Sequence, residues 1–178
     1  MDQGSSFDAL VSRLVAGEVR FVVIGVWGVN LHAASGGLTF RTYDRDLFLP
    51  PDPRNLLAAW RACEELGFDL TSGGETLDIP RDEWLASRIV QRRALTRAEG
   101  PGGLLVDLTL VMGGFEFDSV WRERREFVVS GVRVPVARLM HIVTSKALAG
   151  RPKDHLFLAT HAEALRELLP KDEPPLAG

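Results

Sequence analysis

The stretch Arg41-Thr42-Tyr43-Asp44-Arg45-Asp46-Leu47 places two aspartates two residues apart at the start of an apolar run. Its apolar continuation predicts a strand over residues 44–49. Because side chains alternate along a strand, Asp44 and Asp46 share one face and Arg45 lies on the other. Two neighbouring carboxylates repel each other, and a divalent cation such as Mg²⁺ relieves that repulsion. The pattern indicates a metal site, although a lone Asp-x-Asp at a strand start more often forms a turn or a cap.

A third carboxylate interrupts an apolar strand predicted over residues 104–111. Asp107 lies inside this run, where an unpaired carboxylate is costly to bury. On a strand next to Asp44 and Asp46 it would complete a group of three carboxylates, which can hold two metal ions roughly 3.5–4 Å apart for phosphoryl chemistry. A salt bridge from Asp107 to one of the arginines is the alternative, and the residues alone leave both open.

Gly25 joins a predicted strand over residues 19–24 to a helix over residues 27–34. A helix that starts directly after a strand presents free backbone N–H groups at its N-terminus. Such groups bind anions, so a triphosphate could rest there.

Further periodicities extend an α-β-α-β-α order along the chain. We predict a helix opened by Asp52 and Pro53, a turn at Gly73-Gly74 and a strand over residues 89–96. The remaining predicted elements are a helix over residues 6–15, a hairpin of strands over 126–129 and 132–136, and C-terminal helices over 138–149 and 153–169.

Composition limits the classes of protein that fit. The chain has 178 residues, of which 46% are hydrophobic and 25% charged, as is usual for a globular protein. Its net charge of −3 gives no overall positive field of the kind that nucleic-acid binders often have. Cys63 is the single cysteine and cannot form an internal disulfide. Neither a leader nor a membrane span is evident, which favours a cytoplasmic protein. We predict one domain over residues 1–170 and a flexible Pro-rich tail over 171–178.

One tryptophan and one basic stretch suggest functional roles that we do not assign to them. Trp60 lies in an apolar helical pattern and is assigned to the core. A local basic stretch could follow an RNA backbone, but such a stretch is more often a solvated face. Its residues are Arg88, Arg92, Arg93 and Arg97.

The combined order of these motifs resembles the nucleotidyltransferases of the DNA polymerase β superfamily, especially the minimal nucleotidyltransferases and the AbiEii-type toxin transferases. The segments that carry the resemblance are Val23-Ile24-Gly25-Val26-Trp27-Gly28, Leu31-His32, Arg41 to Leu47, Val106-Asp107-Leu108, Lys146 and Gly150-Arg151-Pro152-Lys153-Asp154. The resemblance implies an α/β (α+β) fold, in which a short mixed β-sheet is flanked by helices and a C-terminal helical pair closes the cleft.

The resemblance also implies roles for particular residues. Asp44 and Asp46 would ligate Mg²⁺ or Mn²⁺, and Asp107 would be the third catalytic and metal-binding carboxylate. A nucleoside triphosphate (NTP) would be the substrate. The residues placed around it are Gly25, Val26, Arg41, Thr42, Lys146, Lys153 and Asp154.

The implied activity is transfer of a nucleoside monophosphate (NMP) to an acceptor hydroxyl. The resemblance suggests RNA, such as a tRNA end, or a protein as acceptor, in a toxin–antitoxin or phage-defence system with an antitoxin partner. Two alternatives stay open. One is a small-molecule transferase of the aminoglycoside-modifying kind, which needs an acidic pocket. The other is a catalytically silent nucleotide- or partner-binding domain, favoured by Val26, because the family usually has glycine or serine there.

Overall fold

A mixed β-sheet organises the chain, and the computed structural model describes residues 2–172. Within those residues the strands are β1 (Val22–Ile24), β2 (Asp44–Phe48), β3 (Asp69–Ser72), β4 (Glu75–Thr76), β5 (Thr96–Glu99), β6 (Leu105–Thr109), β7 (Arg125–Val129) and β8 (Val132–Val136). They lie in the order β4-β3-β5-β6-β2-β1-β8-β7. The β2–β6 and β1–β8 pairs are parallel and the other pairs antiparallel.

Helices flank both faces of the sheet. They are α1 (Gln3–Ala16), α2 (Gly25–Ala33), α3 (Pro53–Glu65), α4 (Glu83–Gln91), α5 (Phe117–Arg122), α6 (Leu139–Ala149), α7 (Pro152–Thr160) and α8 (Ala162–Asp172). The α/β fold with a mixed sheet and flanking helices is therefore confirmed. No helix among residues 2–172 has the length and apolar character that a membrane crossing requires.

Local sequence signals explain several boundaries. The Asp52 carboxylate accepts a hydrogen bond from the backbone N–H of Arg54, and Pro53 occupies the first position of α3. Ser130 and Gly131 both have positive φ angles, which suits the tight turn of the β7–β8 hairpin. The predicted hairpin and the helix opened by Asp52 and Pro53 are both present.

The strand predicted over residues 89–96 is wrong. The Asp82 side chain caps α4 by accepting a hydrogen bond from the backbone N–H of Leu85. The helix continues to Gln91 because Leu85, Ala86 and Ile89 recur at helical spacing and pack into the core. The strand of this region, β5, begins only at Thr96.

The C-terminal helical prediction is correct in kind but differs in its bounds. The segment predicted as one helix over 153–169 is divided at His161 into α7 and α8. Helix α8 continues to Asp172, so residues 171 and 172 of the predicted flexible tail are helical. The rest of that predicted tail, residues 173–178, lies outside the described part of the chain.

Two apolar clusters fill the space between sheet and helices. The first joins α1, α3 and α4 to one sheet face, and Trp60 at its centre is fully buried, as predicted, with its indole N–H donating to Thr96 Oγ1 at 3.2 Å. The second lies around β1 and β2 and includes residues of α2, α5, α6 and α8. The opposite face of β5 and β6 carries the side chains of Arg97, Glu99 and Asp107.

Candidate active site

Strand register brings three carboxylates together. In the parallel β2–β6 pair, Asp46 lies directly opposite Asp107, and Asp44 precedes Asp46 by two residues on the same face. One carboxylate oxygen from each of the three lies within 4.8 Å of the others. The arrangement is a compact group of oxygen donors, which we call the carboxylate cluster.

The cluster depends on a close approach between Gly25 and Asp46. Ile24, the last residue of β1, pairs with Asp46, so that Gly25 begins α2 beside the Asp46 carboxylate. Gly25 has a φ of +67°, and a Cβ atom built on it would lie 2.2 Å from Asp46 Oδ2. Only glycine fits both the backbone angle and this space. The structure therefore places Gly25 against a cluster carboxylate, at the N-terminus where a triphosphate was expected.

Burial and neighbouring negative charge leave the Asp46 carboxylate in an unfavourable electrostatic position. Burial is the largest cause, and the charges of Asp44 and Asp107 add to it, so that the pKa of Asp46 is raised to about 6. Lys146 and Lys153 act in the opposite direction but do not cancel the effect. A carboxylate in this position is stabilised by an added cation.

A guanidinium already contacts the cluster. Arg97 of β5 lies opposite Asp107 in the antiparallel β5–β6 pair. Its Nε donates to Asp107 Oδ1 at 2.7 Å and its Nη2 to Oδ2 at 2.9 Å, while Asp44 Oδ2 lies 3.9 Å from Nη2. The salt bridge considered for Asp107 is thus present together with the cluster. Arg97 was not among the predicted site residues, because its role depends on a strand register that the sequence does not show.

Cationic side chains from the start of α7 and from α6 also lie near the cluster. Asp154 is almost fully buried and accepts hydrogen bonds from Arg151 at 2.7 and 3.3 Å and from Lys146 Nζ at 3.5 Å. Both lysines, Lys146 and Lys153, are close enough to affect the pKa of Asp46. Arg151 is a second residue that was not among the predicted site residues, although it begins the Arg151-Pro152-Lys153-Asp154 segment.

The remaining predicted site residues differ in how closely they approach the cluster. Thr42 Oγ1 donates to the backbone carbonyl of Asp44 at 3.0 Å and so fixes the entry into β2. Arg41 is exposed nearby in the chain. The Val26 side chain is half-buried and packs against the second apolar cluster, so only its backbone belongs to the start of α2.

The opposite face of β2 is closed by aromatic residues. Arg45 is 7% exposed and its guanidinium lies 3.9 Å from the centroid of the Trp27 ring and 5.7 Å from that of Phe7. This confirms the alternation predicted for the Asp44-Arg45-Asp46 stretch.

The residues of the cluster fit a divalent cation. Three carboxylates supply only oxygen donors, which hard ions such as Mg²⁺ and Mn²⁺ prefer. Burial, together with the charges of Asp44 and Asp107, raises the pKa of Asp46 to about 6, so its ionised form is unfavourable without a cation. A cation at Asp44 and Asp46 would remove both the repulsion and the tendency of Asp46 to bind a proton.

Comparison with known proteins gives structural matches. No family model matches the sequence, and no curated protein matches it either. A crystal structure of ANT(2'')-Ia in complex with adenylyl-2''-tobramycin superposes with a TM-score of 0.56 and 16% identity, covering 96% of each chain. The chain has the nucleotidyltransferase fold.

Two further structures agree with this assignment. A solution structure of the antibiotic-resistance factor ANT(2'')-Ia gives a TM-score of 0.54 at 18% identity, covering 96% of this chain and 92% of that one. A crystal structure of an antigenic nucleotidyltransferase-like protein from Paracoccidioides brasiliensis gives 0.54 at 17% identity, covering 96% and 76%. At these identities the likeness establishes the fold, as the motif order predicted.

Proposed function

We propose that this chain is a metal-dependent nucleotidyltransferase that moves an NMP from an NTP to an acceptor hydroxyl. The observation that carries the proposal is the carboxylate cluster, with three carboxylate oxygens within 4.8 Å beside the N-terminus of α2. Cationic side chains of α6 and of the start of α7 lie near it, at the side where phosphate charge would be bound. The shared fold supports the same proposal.

Each group would have a distinct task in the transfer. Asp44 and Asp46 would hold Mg²⁺ or Mn²⁺, which when bound supplies charge neutralisation at the phosphate and at the acceptor oxygen. Lys146, Arg151 and Lys153 would bind the negative charge of the triphosphate. We assign to Asp107 the removal of the acceptor proton, which its carboxylate oxygen would accept.

Bond making and breaking are then balanced. The acceptor oxygen forms a bond to the α-phosphorus, and the bond from that phosphorus to the departing pyrophosphate breaks. The free N–H groups at the start of α2, including the backbone of Val26, can donate to phosphate oxygens. Because NTPs are needed, we place the activity in the cytoplasm.

RNA or a protein is the first candidate for the acceptor of the NMP. Resemblance to the AbiEii-type transferases favours RNA, such as a tRNA end, or a protein, with an antitoxin as partner. The basic stretch does not strengthen the case for RNA, because α4, which carries Arg88, packs through the first core against the sheet face opposite Arg97 and the cluster. Arg97 itself is engaged by Asp107.

A cationic small molecule is the second candidate acceptor, and charge on the open sheet face favours it. Glu99 follows Arg97 by two residues on β5 and therefore faces the same way. It lies opposite Asp69 of β3, and both side chains are exposed. This pair of carboxylates could bind amino groups of an acceptor. The structure of ANT(2'')-Ia with an adenylylated tobramycin shows such a product in a protein of the same fold.

A direct test incubates the protein with each α-labelled NTP and Mg²⁺ or Mn²⁺. Parallel reactions contain bulk RNA, protein extract or a panel of amine-bearing sugars, and Asp46→Asn is the matched inactive control. Transfer of label to an acceptor by the unmodified chain, and not by Asp46→Asn, supports the proposal and identifies the acceptor class. Binding of NTP, seen as a metal-dependent rise in melting temperature without pyrophosphate release, would instead support the silent domain that Val26 suggests.

A further inference from the structure

Arg97 is held in the carboxylate cluster by the fold itself. Its position opposite Asp107 is fixed by the β5–β6 register, and both guanidinium contacts to Asp107 are shorter than 3 Å. The two-pronged geometry matches the planar fork of arginine to a carboxylate. Asp107 is 7% exposed, so this is a partly buried ion pair and not a surface contact.

Charge in the cluster limits how many divalent cations it can hold. Three carboxylates and the Arg97 guanidinium leave two net negative charges in the cluster itself, which one divalent cation neutralises. Lys146 and Lys153 add further positive charge nearby. A second divalent ion would have to approach Asp107, where both oxygens already accept hydrogen bonds, and would meet the repulsion of Arg97. Among residues 2–172, Asp44 and Asp46 have no guanidinium partner at hydrogen-bond distance, since Arg97 Nη2 lies 3.9 Å from Asp44 Oδ2.

We propose that Arg97 is a resident counter-ion that occupies the position of a second metal ion, so that the chain binds one divalent cation, on Asp44 and Asp46. The inference rests on the proposed function for the presence of a metal, and it replaces the two-ion site expected from the sequence. In this arrangement the two hydrogen bonds from Arg97 hold the Asp107 carboxylate in place, and Asp107 is not a metal ligand.

Manganese binding tests this without any turnover. Mn²⁺ is titrated into the nucleotide-free protein, and the electron paramagnetic resonance signal of free Mn²⁺ reports the number of ions bound. We expect one ion for the unmodified chain and for Arg97→Lys, which keeps the charge. We expect two ions for Arg97→Gln, because the second position becomes a carboxylate without a counter-ion.

A charge-conserving double variant tests the role of Asp107. Arg97→Gln combined with Asp107→Asn removes the ion pair but leaves the net charge of the cluster unchanged. We expect one Mn²⁺ with an affinity within about threefold of the unmodified chain, whereas Asp44→Asn should weaken binding by about tenfold or more. If Asp107 is a ligand, the double variant weakens binding as much as Asp44→Asn does, and the proposal fails.

Arg13→Gln is the matched control, because Arg13 forms an ion pair with Glu65 and its side chain is 43% exposed, close to the 42% of Arg97. The Arg13→Gln variant should still bind one Mn²⁺ ion. Two ions on the unmodified chain, or one on Arg97→Gln, overturns the inference. No Mn²⁺ on the unmodified chain removes the metal site and the inference together, whereas one Mn²⁺ without nucleotide transfer contradicts the proposed function alone.

Discussion

The Asp46 carboxylate lies against the backbone of Gly25, and an added Cβ at residue 25 would stand 2.2 Å from Asp46 Oδ2. The first residue of α2 and a carboxylate of β2 therefore occupy space that admits no side chain between them. The geometry of the cluster is coupled to the start of the helix proposed to receive the triphosphate.

Gly25→Ala should disrupt the cluster. The positive φ costs a non-glycine residue about 1–2 kcal/mol, and the added methyl group also displaces the Asp46 carboxylate. We expect a lower melting temperature together with a loss of Mn²⁺ affinity of about tenfold or more, measured by thermal unfolding and metal titration.

Gly37→Ala provides the matched control for backbone strain. Gly37 has a φ of +71°, and a Cβ built there meets nothing within 4 Å. This variant should lose similar stability and keep its metal affinity. Equal metal affinities in Gly25→Ala and Gly37→Ala would show that the contact with Asp46 has no role in metal binding.

The raised pKa of Asp46 predicts a pH-dependent stability. With a folded-state pKa of about 6 against an ordinary value of 3.8, the folded chain binds the proton more tightly than the unfolded chain between these values. The free energy of unfolding therefore falls as pH rises through this window, by about 3 kcal/mol for this group. The Asp46→Asn variant should not show this fall in the free energy of unfolding, because asparagine does not titrate.

Urea denaturation of both proteins at about pH 4.5 and about pH 7.5 isolates the contribution of Asp46. Relative to the unmodified chain, Asp46→Asn should gain stability as the pH rises. Mg²⁺ or Mn²⁺ should stabilise the unmodified chain at the higher pH and leave the variant little changed. A stability difference that is the same at both pH values contradicts the assignment of the shift to Asp46.

Asp154 is predicted to organise the cations that would bind phosphate. Its buried carboxylate accepts hydrogen bonds from Arg151 and Lys146. Although burial raises its pKa, these partners lower the pKa below its ordinary value, so its stabilising contribution is present near neutral pH and is lost as pH falls. Asp154→Asn should cost about 1–3 kcal/mol and raise the KM for NTP by about tenfold.

Asp118→Asn is the control for Asp154, because Asp118 forms an exposed ion pair with Arg20 and its side chain is 79% exposed. It should change stability by less than about 0.5 kcal/mol and leave the KM unchanged. An Asp154→Asn variant with normal KM and reduced stability would limit Asp154 to a structural role.

The sequence was sufficient where local rules decide the structure. Strand alternation placed Asp44 and Asp46 on one face and Arg45 on the other, and turn chemistry located the hairpin at Ser130 and Gly131. The cost of a carboxylate in an apolar strand drew attention to Asp107. The roles of these residues in catalysis and metal binding stay predictions.

Pairing between distant strands was beyond the sequence. Arg97 contacts Asp107 because β5 lies beside β6 in a particular register, and the strand predicted over residues 89–96 would have placed that arginine outside the sheet. The contact of Gly25 with Asp46 likewise depends on the β1–β2 register. Such contacts follow from packing of the whole sheet, for which no short segment carries a signal.

Asp172 should anchor the C-terminal helix. Its carboxylate is buried and lies 3.7 Å from Arg125 Nε and 3.5 Å from Arg138 Nε, and Oδ2 accepts a hydrogen bond from the backbone N–H of Met140 at 3.1 Å. Asp172→Asn removes the carboxylate that faces the Arg125 guanidinium and leaves Arg138 with Glu123, at 3.1 Å, as its carboxylate partner among residues 2–172. We expect a loss of about 2–4 kcal/mol in the free energy of unfolding, measured by urea denaturation.

Glu126→Gln is the comparison for Asp172, because Glu126 also faces two arginines but at the surface, with a side chain that is 43% exposed. It should cost less than about 0.5 kcal/mol. Mn²⁺ affinity should be unchanged in both variants, since neither carboxylate belongs to the cluster. If Asp172→Asn is as mild as Glu126→Gln, α8 is held by the apolar contacts of Leu165 and Leu168 and not by the buried ion pairs.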